Sequence, residues 1–495
     1  MKVTAGALLA FRMLQTRPRR TVVLLLGYGL GIAVMIALLA VGDALLLQAR
    51  DRDVVAGGDL VIVPAGIDPD VLKTGAATAM FLVMPNVRFL TRQIVMGPRF
   101  SDTVAAASPE MIDKLVYIRV RGRVIAARAS GVIPSAAAAA RSHLAIPDPQ
   151  WRDDDQDRTW SEPTPQQRLA SIDRFHLPPS GPEGQTWAEW WYFNVATNDG
   201  RHVYVSFIAD RERRVRVAVT LRRSGEPALR SAETYPASAL PFEAAGDAAD
   251  APAVIAAGPH RVELRDGVYR ISLVGLRGPR GPLSAELMVR PDPGWYLPPF
   301  EQQSSGFRSG YVVPALRAEV RGTLTVGAKT AQISGTGYHD HNWGVWRSVT
   351  WEWGTASTAS YALLAGLVRH PAVKGQEMLV TLFGTAGDRP GVMGLLRGSA
   401  PEPGDWKPGP RLGDIRPRVP GRLRYRAAND AGDRLEVIFS PDDVVATPQD
   451  PAVSGREVFL QMNGRYTITG TVGGRPVRIV TTGYAETFVP LRAAP

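Results

Sequence analysis

The sequence predicts a mainly β protein: two antiparallel barrels in tandem, behind one transmembrane helix and a small mixed α/β extracytoplasmic domain. Three observations predict it. Beyond residue 170 apolar residues alternate at period two between turn signals, without a helical period. A Trp/Glu stretch and a Thr-Gly-Tyr-x-acid stretch each occur twice in that region. Near the start, 22 residues from Thr21 to Gly42 carry no charge.

Residues 1–20 read as a cytoplasmic basic tail, because Lys2, Arg12, Arg17, Arg19 and Arg20 stand there without an acid. At about 1.5 Å per residue, the apolar run that follows covers a hydrocarbon core of about 30 Å. We expect a transmembrane helix over 21–47. Asp43, Asp51, Asp53 and Asp59 dilute Arg50 and Arg52 beyond it. Charge asymmetry then places the amino terminus in the cytoplasm of a bacterial-type inner (plasma) membrane and the bulk outside, in the periplasm or its equivalent. Residues 48–146 mix short apolar runs with Gly and Pro and read as a small extracytoplasmic domain, with a short helix over Ala136–Ala140. The interval 147–170, with Asp153, Asp154, Asp155, Asp157 and prolines at 147, 149, 163 and 165, reads as a solvated linker.

The first barrel is expected over 171–345 and the second over 346–495. Val215, Val217, Val219 and Leu221 alternate with Arg216, Ala218, Thr220 and Arg222, as a strand with one buried face requires. Asn198-Asp199-Gly200, Asp266-Gly267 and Gly473-Gly474 are turns between such runs. Each barrel opens on a Trp/Glu strand (Trp187-Ala188-Glu189-Trp190; Trp351-Glu352-Trp353). Each closes on a related one (Thr336-Gly337-Tyr338-His339-Asp340; Thr482-Gly483-Tyr484-Ala485-Glu486).

The totals exclude some chemistry. With no Cys there is no disulfide, thiolate metal site or thiol nucleophile. The net charge of +10 is concentrated in the tail and otherwise dispersed, so nucleic acid is not an expected partner. No phosphate loop, dinucleotide fingerprint or Ser–His–Asp order is present, and no cofactor is expected.

Two stretches carry candidate chemistry. On a strand, His339, His341 and Trp343 share one face, and Tyr338, Asp340 and Asn342 the other. Trp187, Glu189, Trp191 and Phe193 likewise share a face, which surrounds a carboxylate with rings. A poorly hydrated acid stays protonated toward neutrality and can hand a proton to an alkene, with ring faces stabilising the cation. The plainer readings are a packed Tyr/His/Trp closing strand, and Glu189 paired with Arg347. Two histidines at i, i+2 suit a metal, but no third ligand stands nearby, so no metal is expected.

Glu189-Trp190-Trp191-Tyr192-Phe193 together with Tyr338-His339-Asp340-His341-Asn342-Trp343-Gly344 resembles the hydroxyneurosporene synthase (carotenoid 1,2-hydratase) family and its AttH-type relatives, over about residues 170–495. The resemblance implies a double lipocalin-like fold and, in hydratase members, cofactor-free addition of water across a terminal isoprenoid double bond. It assigns catalysis to Asp340, His341 and Trp343, and the ring-surrounded Glu189 is our further candidate for the proton donor. We add Trp187, Trp191, Tyr338, His339, Tyr361 and Glu486 as candidate ligand-binding residues. Where the hydratases carry Tyr-x-Asp, this chain has Tyr361-Ala362-Leu363, with no acid. Residues 5–135, with Leu9-Ala10-Phe11-Arg12-Met13-Leu14 and Gly58-Asp59-Leu60-Val61-Ile62-Val63-Pro64, resemble the start of MacB-type ABC transporter permeases. No later apolar stretch supplies the remaining helices of that family. The expected function is therefore binding of an apolar lipid or isoprenoid in the cell envelope beside ABC transporter subunits. The alternative is an acid-catalysed hydratase or isomerase, and a third reading is a scaffold for a membrane partner.

Overall fold

The computed structural model describes residues 60–62, 82–140, 152–241, 253–304, 307–371, 373–413, 416–448 and 457–490, with isolated positions before residue 60. The expected membrane helix over 21–47 lies outside the described residues apart from a few positions. Among the described residues no helix is long and apolar enough to cross a membrane. The chain divides into two units, Met1–Leu82 with Ser108–Arg152, and Val83–Ala107 with Asp153–Pro495.

In the first unit, β1 (Glu110–Val120) and β2 (Arg123–Val132) form an antiparallel hairpin. Arg121 and Gly122 turn it with positive φ, which Gly takes without steric penalty. A short helix, Pro134–Ala140, follows. Val83–Ala107, inside the expected 48–146 domain, belongs to the second unit. There α1 (Met84–Met96) starts with Pro in its first turn and buries Phe89 edge-on to Tyr296. Its Gln93 Oε1 accepts the Val392 N–H at 2.8 Å.

The interval expected to be a solvated linker contains two more helices. Numbering the helix at Pro134–Ala140 as α2, these are α3 (Asp155–Ser161) and α4 (Pro165–Ile172). Asp154 and Thr164 are their N-caps, each in a reciprocal capping box, with Asp157 and Gln167 reaching back. Asp154, Asp157 and Pro165, read as solvated, are thus helix-start signals: carboxylates satisfy orphan N–H groups, and Pro at N1 has none to lose. α4 buries Leu169 and Ile172 in the first core. Its Gln166 donates to the Leu264 carbonyl and accepts from Gly267 N–H.

The first barrel comprises β3 (Trp187–Thr197), β4 (Arg201–Asp210), β5 (Arg214–Arg223), β6 (Leu229–Ala239), β7 (Ala253–Ala257), β8 (His260–Arg265), β9 (Val268–Leu276), β10 (Leu283–Pro291), β11 (Leu297–Ser304), β12 (Phe307–Val326) and β13 (Lys329–Val345). Neighbours pair antiparallel from β10 down to β3, then through β13, β12 and β11. Pairing of β10 with β12 closes ten strands into a barrel, leaving β11 alongside β12.

The second comprises β14 (Thr350–Ser357), β15 (Tyr361–Arg369), β16 (Met378–Ala386), β17 (Arg389–Gly398), β18 (Glu402–Gly404), β21 (Arg422–Ala428), β22 (Arg434–Pro448), β23 (Glu457–Val472) and β24 (Arg475–Pro490). The short strands β19 (Lys407–Pro408) and β20 (Arg418–Val419) form a separate ribbon. A β17–β21 pairing closes this ring. The internal echo acquires a structural meaning here. In each barrel the opening Trp/Glu strand pairs with the closing Tyr/acid strand, β3 with β13 and β14 with β24.

Each ring encloses its own apolar core, as closure removes the exposed edges of a sheet. The rings also bury one face against each other. Trp353, Ala362, Leu364 and Phe383 of the second join the core of the first. Polar contacts fix the junction: the Tyr204 hydroxyl donates to Asn463 Oδ1 at 2.6 Å, and Arg222 is ion-paired with Asp443.

Candidate functional site

Strand β13 sits between β3 and β12, so its alternating side chains enter two different environments. His339, His341 and Trp343 stand opposite Phe193, Trp191 and Glu189 across the β3 pairing. Directly opposed residues share a face, so these six project into the first barrel. Tyr338, Asp340 and Asn342 stand opposite Asn194, Tyr192 and Trp190, on the face turned toward the second barrel.

Inside the first barrel, Glu189 is fully buried and bonded on all sides. His176 N–H donates to both carboxylate oxygens, at 3.0 and 2.9 Å, and His176 Nδ1 lies 2.9 Å from Oε1. His341 Nε2 lies 2.6 Å from the same oxygen. The expected Arg347 partner is not there; Arg347 is exposed. On its other side His341 Nδ1 is 2.9 Å from Asp173 Oδ1, close enough for an ion pair but outside hydrogen-bond alignment. Asp173 Oδ2 in turn accepts from the Tyr269 hydroxyl at 2.9 Å and lies 3.1 Å from His339 Nε2. His339 Nδ1 reaches the Tyr192 carbonyl at 3.0 Å.

The result is a continuous line of titratable groups, His176–Glu189–His341–Asp173, ending on His339 and Tyr269. Burial by itself would lower His341, but Asp173 and Glu189 on its two nitrogens outweigh it and raise the imidazole to about 9. Burial would raise Asp173; His339 and His341 outweigh that and hold it well below the usual carboxylate range. At neutral pH the centre of the line is therefore an imidazolium held between two carboxylates.

Rings pack around this line. His176 stacks on Trp343 at 3.7 Å between centroids and 8° between planes, and His341 stacks on Trp191 at 4.4 Å. His339 stacks on Phe193 at 4.0 Å. The Trp343 indole lies so close to Gly310 that a Cβ there would sit 1.9 Å from its Cε2. Its Nε1–H donates to Glu301 Oε1 at 2.6 Å, and Arg308 pairs with Glu301 at 2.8 Å while covering Trp187. Trp343, expected to offer a free ring face to a cation, thus has a face taken by His176. The outer end of the line is His176, whose side chain is 25% exposed.

Between the barrels lies the second cluster. Asp340 accepts from Tyr338 (2.9 Å), Tyr311 (3.2 Å) and Asn342 Nδ2 (3.0 Å). Burial pushes it up to about 8, against the Tyr338 bond and with help from the Glu486 charge. Glu486 accepts from Trp351 Nε1 (2.8 Å) and Gln461 Nε2 (3.0 Å) and is likewise raised by burial. Trp353 donates to the Tyr311 hydroxyl at 3.1 Å. Asn194 is wholly buried here, and neither its oxygen nor its nitrogen has a partner.

The four candidate catalytic residues therefore separate: Glu189, His341 and Trp343 are together, and Asp340 is on the opposite side of its own strand. Of the candidate ligand-binding residues, Trp187, Trp191 and His339 join the first group, and Tyr338 and Glu486 the second. Tyr361 is half-buried on β15 against the second core and meets neither. Sequence reasoning missed Asp173, His176, Tyr269, Glu301 and Arg308, none of which lies in an aromatic motif. The one available signal was Asp173-Arg174-Phe175-His176, just ahead of the first strand.

His176 Nδ1, Glu189 Oε1 and His341 Nε2 lie within 4.8 Å of one another, the arrangement of a small cation site. The 2.6 Å His341–Glu189 separation is a proton-bridged distance. Two donors each about 2.0–2.1 Å from a tetrahedral ion stand farther apart than that.

No family model and no curated protein sequence matches the chain. Among solved structures, it is similar to CghA with Sch210972 (14% identity, TM-score 0.44, 68% of this chain and 97% of that one). It is also similar to a putative AttH from Nitrosomonas europaea (16%, 0.41, 64% and 98%) and to kievitone hydratase from Nectria haematococca (13%, 0.39, 64% and 93%). The barrel topology above rests on the strand pairing alone.

Proposed function

We propose that this chain is a cofactor-independent hydratase or isomerase of an apolar, isoprenoid-like substrate, moving protons through the first barrel. The observation that carries this reading is the line His176–Glu189–His341–Asp173, which runs from a partly exposed imidazole to a buried acid. His176, Glu189 and His341 are hydrogen-bonded in sequence, and the central imidazole stays charged at neutrality because Asp173 and Glu189 flank it.

In hydration, the His176–Glu189 pair delivers a proton to the less substituted alkene carbon. The π electrons form the new C–H bond and leave a tertiary cation. Water adds to that cation, and its surplus proton passes to Glu301, the half-exposed carboxylate beside Trp343. The donor pair is recharged from solvent at the partly exposed His176, and Glu301 releases its proton to solvent. Glu189 is placed as a proton carrier, His341 as the charge that holds it, and Trp343 as the plate that orients His176. In isomerisation the cation loses a different proton to the same carboxylate, and no water adds.

The test uses the full chain and an acyclic polyene with a terminal isopropylidene group in ¹⁸O-labelled water, followed by mass spectrometry. The expected product carries one added water with the label. Glu189→Gln and His176→Asn each lower the rate by about 10²-fold or more while polyene binding persists. A bound polyene that gains neither water nor solvent deuterium refutes catalysis. That outcome favours the other reading, carriage of an apolar ligand beside ABC transporter subunits, which the resemblance of residues 5–135 supports.

A further inference from the structure

The second barrel has chemistry of its own, on residues that take no part in the proton line. A cavity of about 580 Å³ is lined there by Ser348, Thr350, Arg369, His370, Gln376 and Glu457, with Pro371 and Val373. Its volume falls within the range of small-molecule sites. Thr350 and Arg369 are cross-strand partners on β14 and β15, and Glu352 follows on the same face of β14, one step deeper. Arg369 Nη2 reaches Glu352 Oε1 at 2.9 Å.

What is left over defines the ligand. Glu352, more than nine-tenths buried and outside that lining, is held by Arg369 and by the Thr487 side chain. Glu457 Oε2 is buried without a partner, and so is the Gln376 amide nitrogen, whose oxygen is already used by the His370 N–H at 3.0 Å. A buried polar atom without a partner is costly, so two in one cavity call for a group that satisfies both. One carboxylate oxygen requires a hydrogen-bond donor, and one amide nitrogen requires an acceptor. One guanidinium serves two carboxylates, so the missing donor is cationic.

We propose that this cavity binds a compact primary ammonium with a neighbouring oxygen acceptor, an ethanolamine unit, free or esterified. The ammonium donates to Glu457, and the neighbouring oxygen accepts from Gln376. A quaternary ammonium has no N–H and does not satisfy the carboxylate. Desolvation raises Glu352 to about 7, with the Thr487 hydrogen bond and Arg369 opposing and Glu457 repulsion adding, so a cation entering beside Glu457 also favours the charge of this acid.

The test is titration calorimetry on the full chain with ethanolamine, and ethylene glycol as the uncharged match. Ethanolamine is expected to bind one to one, and ethylene glycol at least tenfold more weakly. Glu457→Gln weakens ethanolamine at least tenfold, while Glu402→Gln on β18 leaves it unchanged. Gln376→Glu keeps the acceptor for His370 N–H, adds a carboxylate and tightens binding at least threefold, a gain that a misfolded variant cannot mimic. Co-sedimentation with phosphatidylethanolamine vesicles, but not with phosphatidylcholine ones, assigns the head to a lipid; binding of free ethanolamine alone assigns it to a soluble amine. No ethanolamine binding by either arm, or equal affinity for ethylene glycol, overturns the proposal.

Discussion

Replacing His341 with Gln removes the charge at the centre of the buried line and leaves Asp173 and Glu189 facing a neutral amide. The folded imidazole titrates at about 9, against an ordinary value of 6.5. That difference corresponds to about 3 kcal/mol of stabilisation, at about 1.4 kcal/mol per pH unit. Because the folded value is raised, this stabilisation is complete below about pH 6.5, declines as pH rises and is gone above about 9. Asp173, lowered in the folded state, contributes in the opposite sense: its stabilisation is present above about pH 4 and lost on acidification. The line is thus strongest between about pH 4 and 6.5. His341→Gln is expected to cost about 3–5 kcal/mol at pH 6, as breaking a buried ion pair does. The difference from wild type should shrink by about 3 kcal/mol by pH 9. Urea unfolding followed by tryptophan fluorescence at pH 6, 7.5 and 9 measures it. A difference that stays constant across that range would refute the charged-imidazole reasoning.

Other substitutions probe the remaining features. Asp340 is raised to about 8, so Asp340→Asn should stay within about 1 kcal/mol of wild type only below about pH 4, where the acid is neutral both folded and unfolded. Wild type loses stability relative to that variant as pH climbs from about 4 to 8, which thermal unfolding at pH 5 and 8 would detect. Tyr204→Phe deletes the hydroxyl that donates to Asn463 across the barrel junction and should cost about 1–2 kcal/mol in urea unfolding. Gly310→Ala drives a methyl into the Trp343 indole and should cost about 1–3 kcal/mol; an unchanged midpoint would show that the indole yields.

How far the sequence was legible depended on whether its signals were local. Period-two alternation marked the strands, since a half-buried strand imposes it wherever it occurs, and the echo of Tyr338–Asp340 in Tyr484–Glu486 marked two rings closed in the same way. Strand alternation also separated His339, His341 and Trp343 from Tyr338 and Asp340. The helices α3 and α4 were misread because Asp, Thr and Pro serve equally in linkers and in helix starts, and burial of Leu169 and Ile172 decides between them. Asp173 and His176 were missed because nothing in their spacing ties them to Glu189 or His341.

By itself, then, the sequence determined the strands, the number of rings and the face on which each candidate side chain stands. The strands and the faces follow from the two-residue repeat of an extended chain, and the number of rings from the internal echo. Only the tertiary structure decided which charges meet. Asp173 lies 168 positions before His341 by number, and they are neighbours because α4 ends beside the strand that closes the barrel. Ion pairing depends on distance in space, and chain position does not encode that distance until the ring has closed.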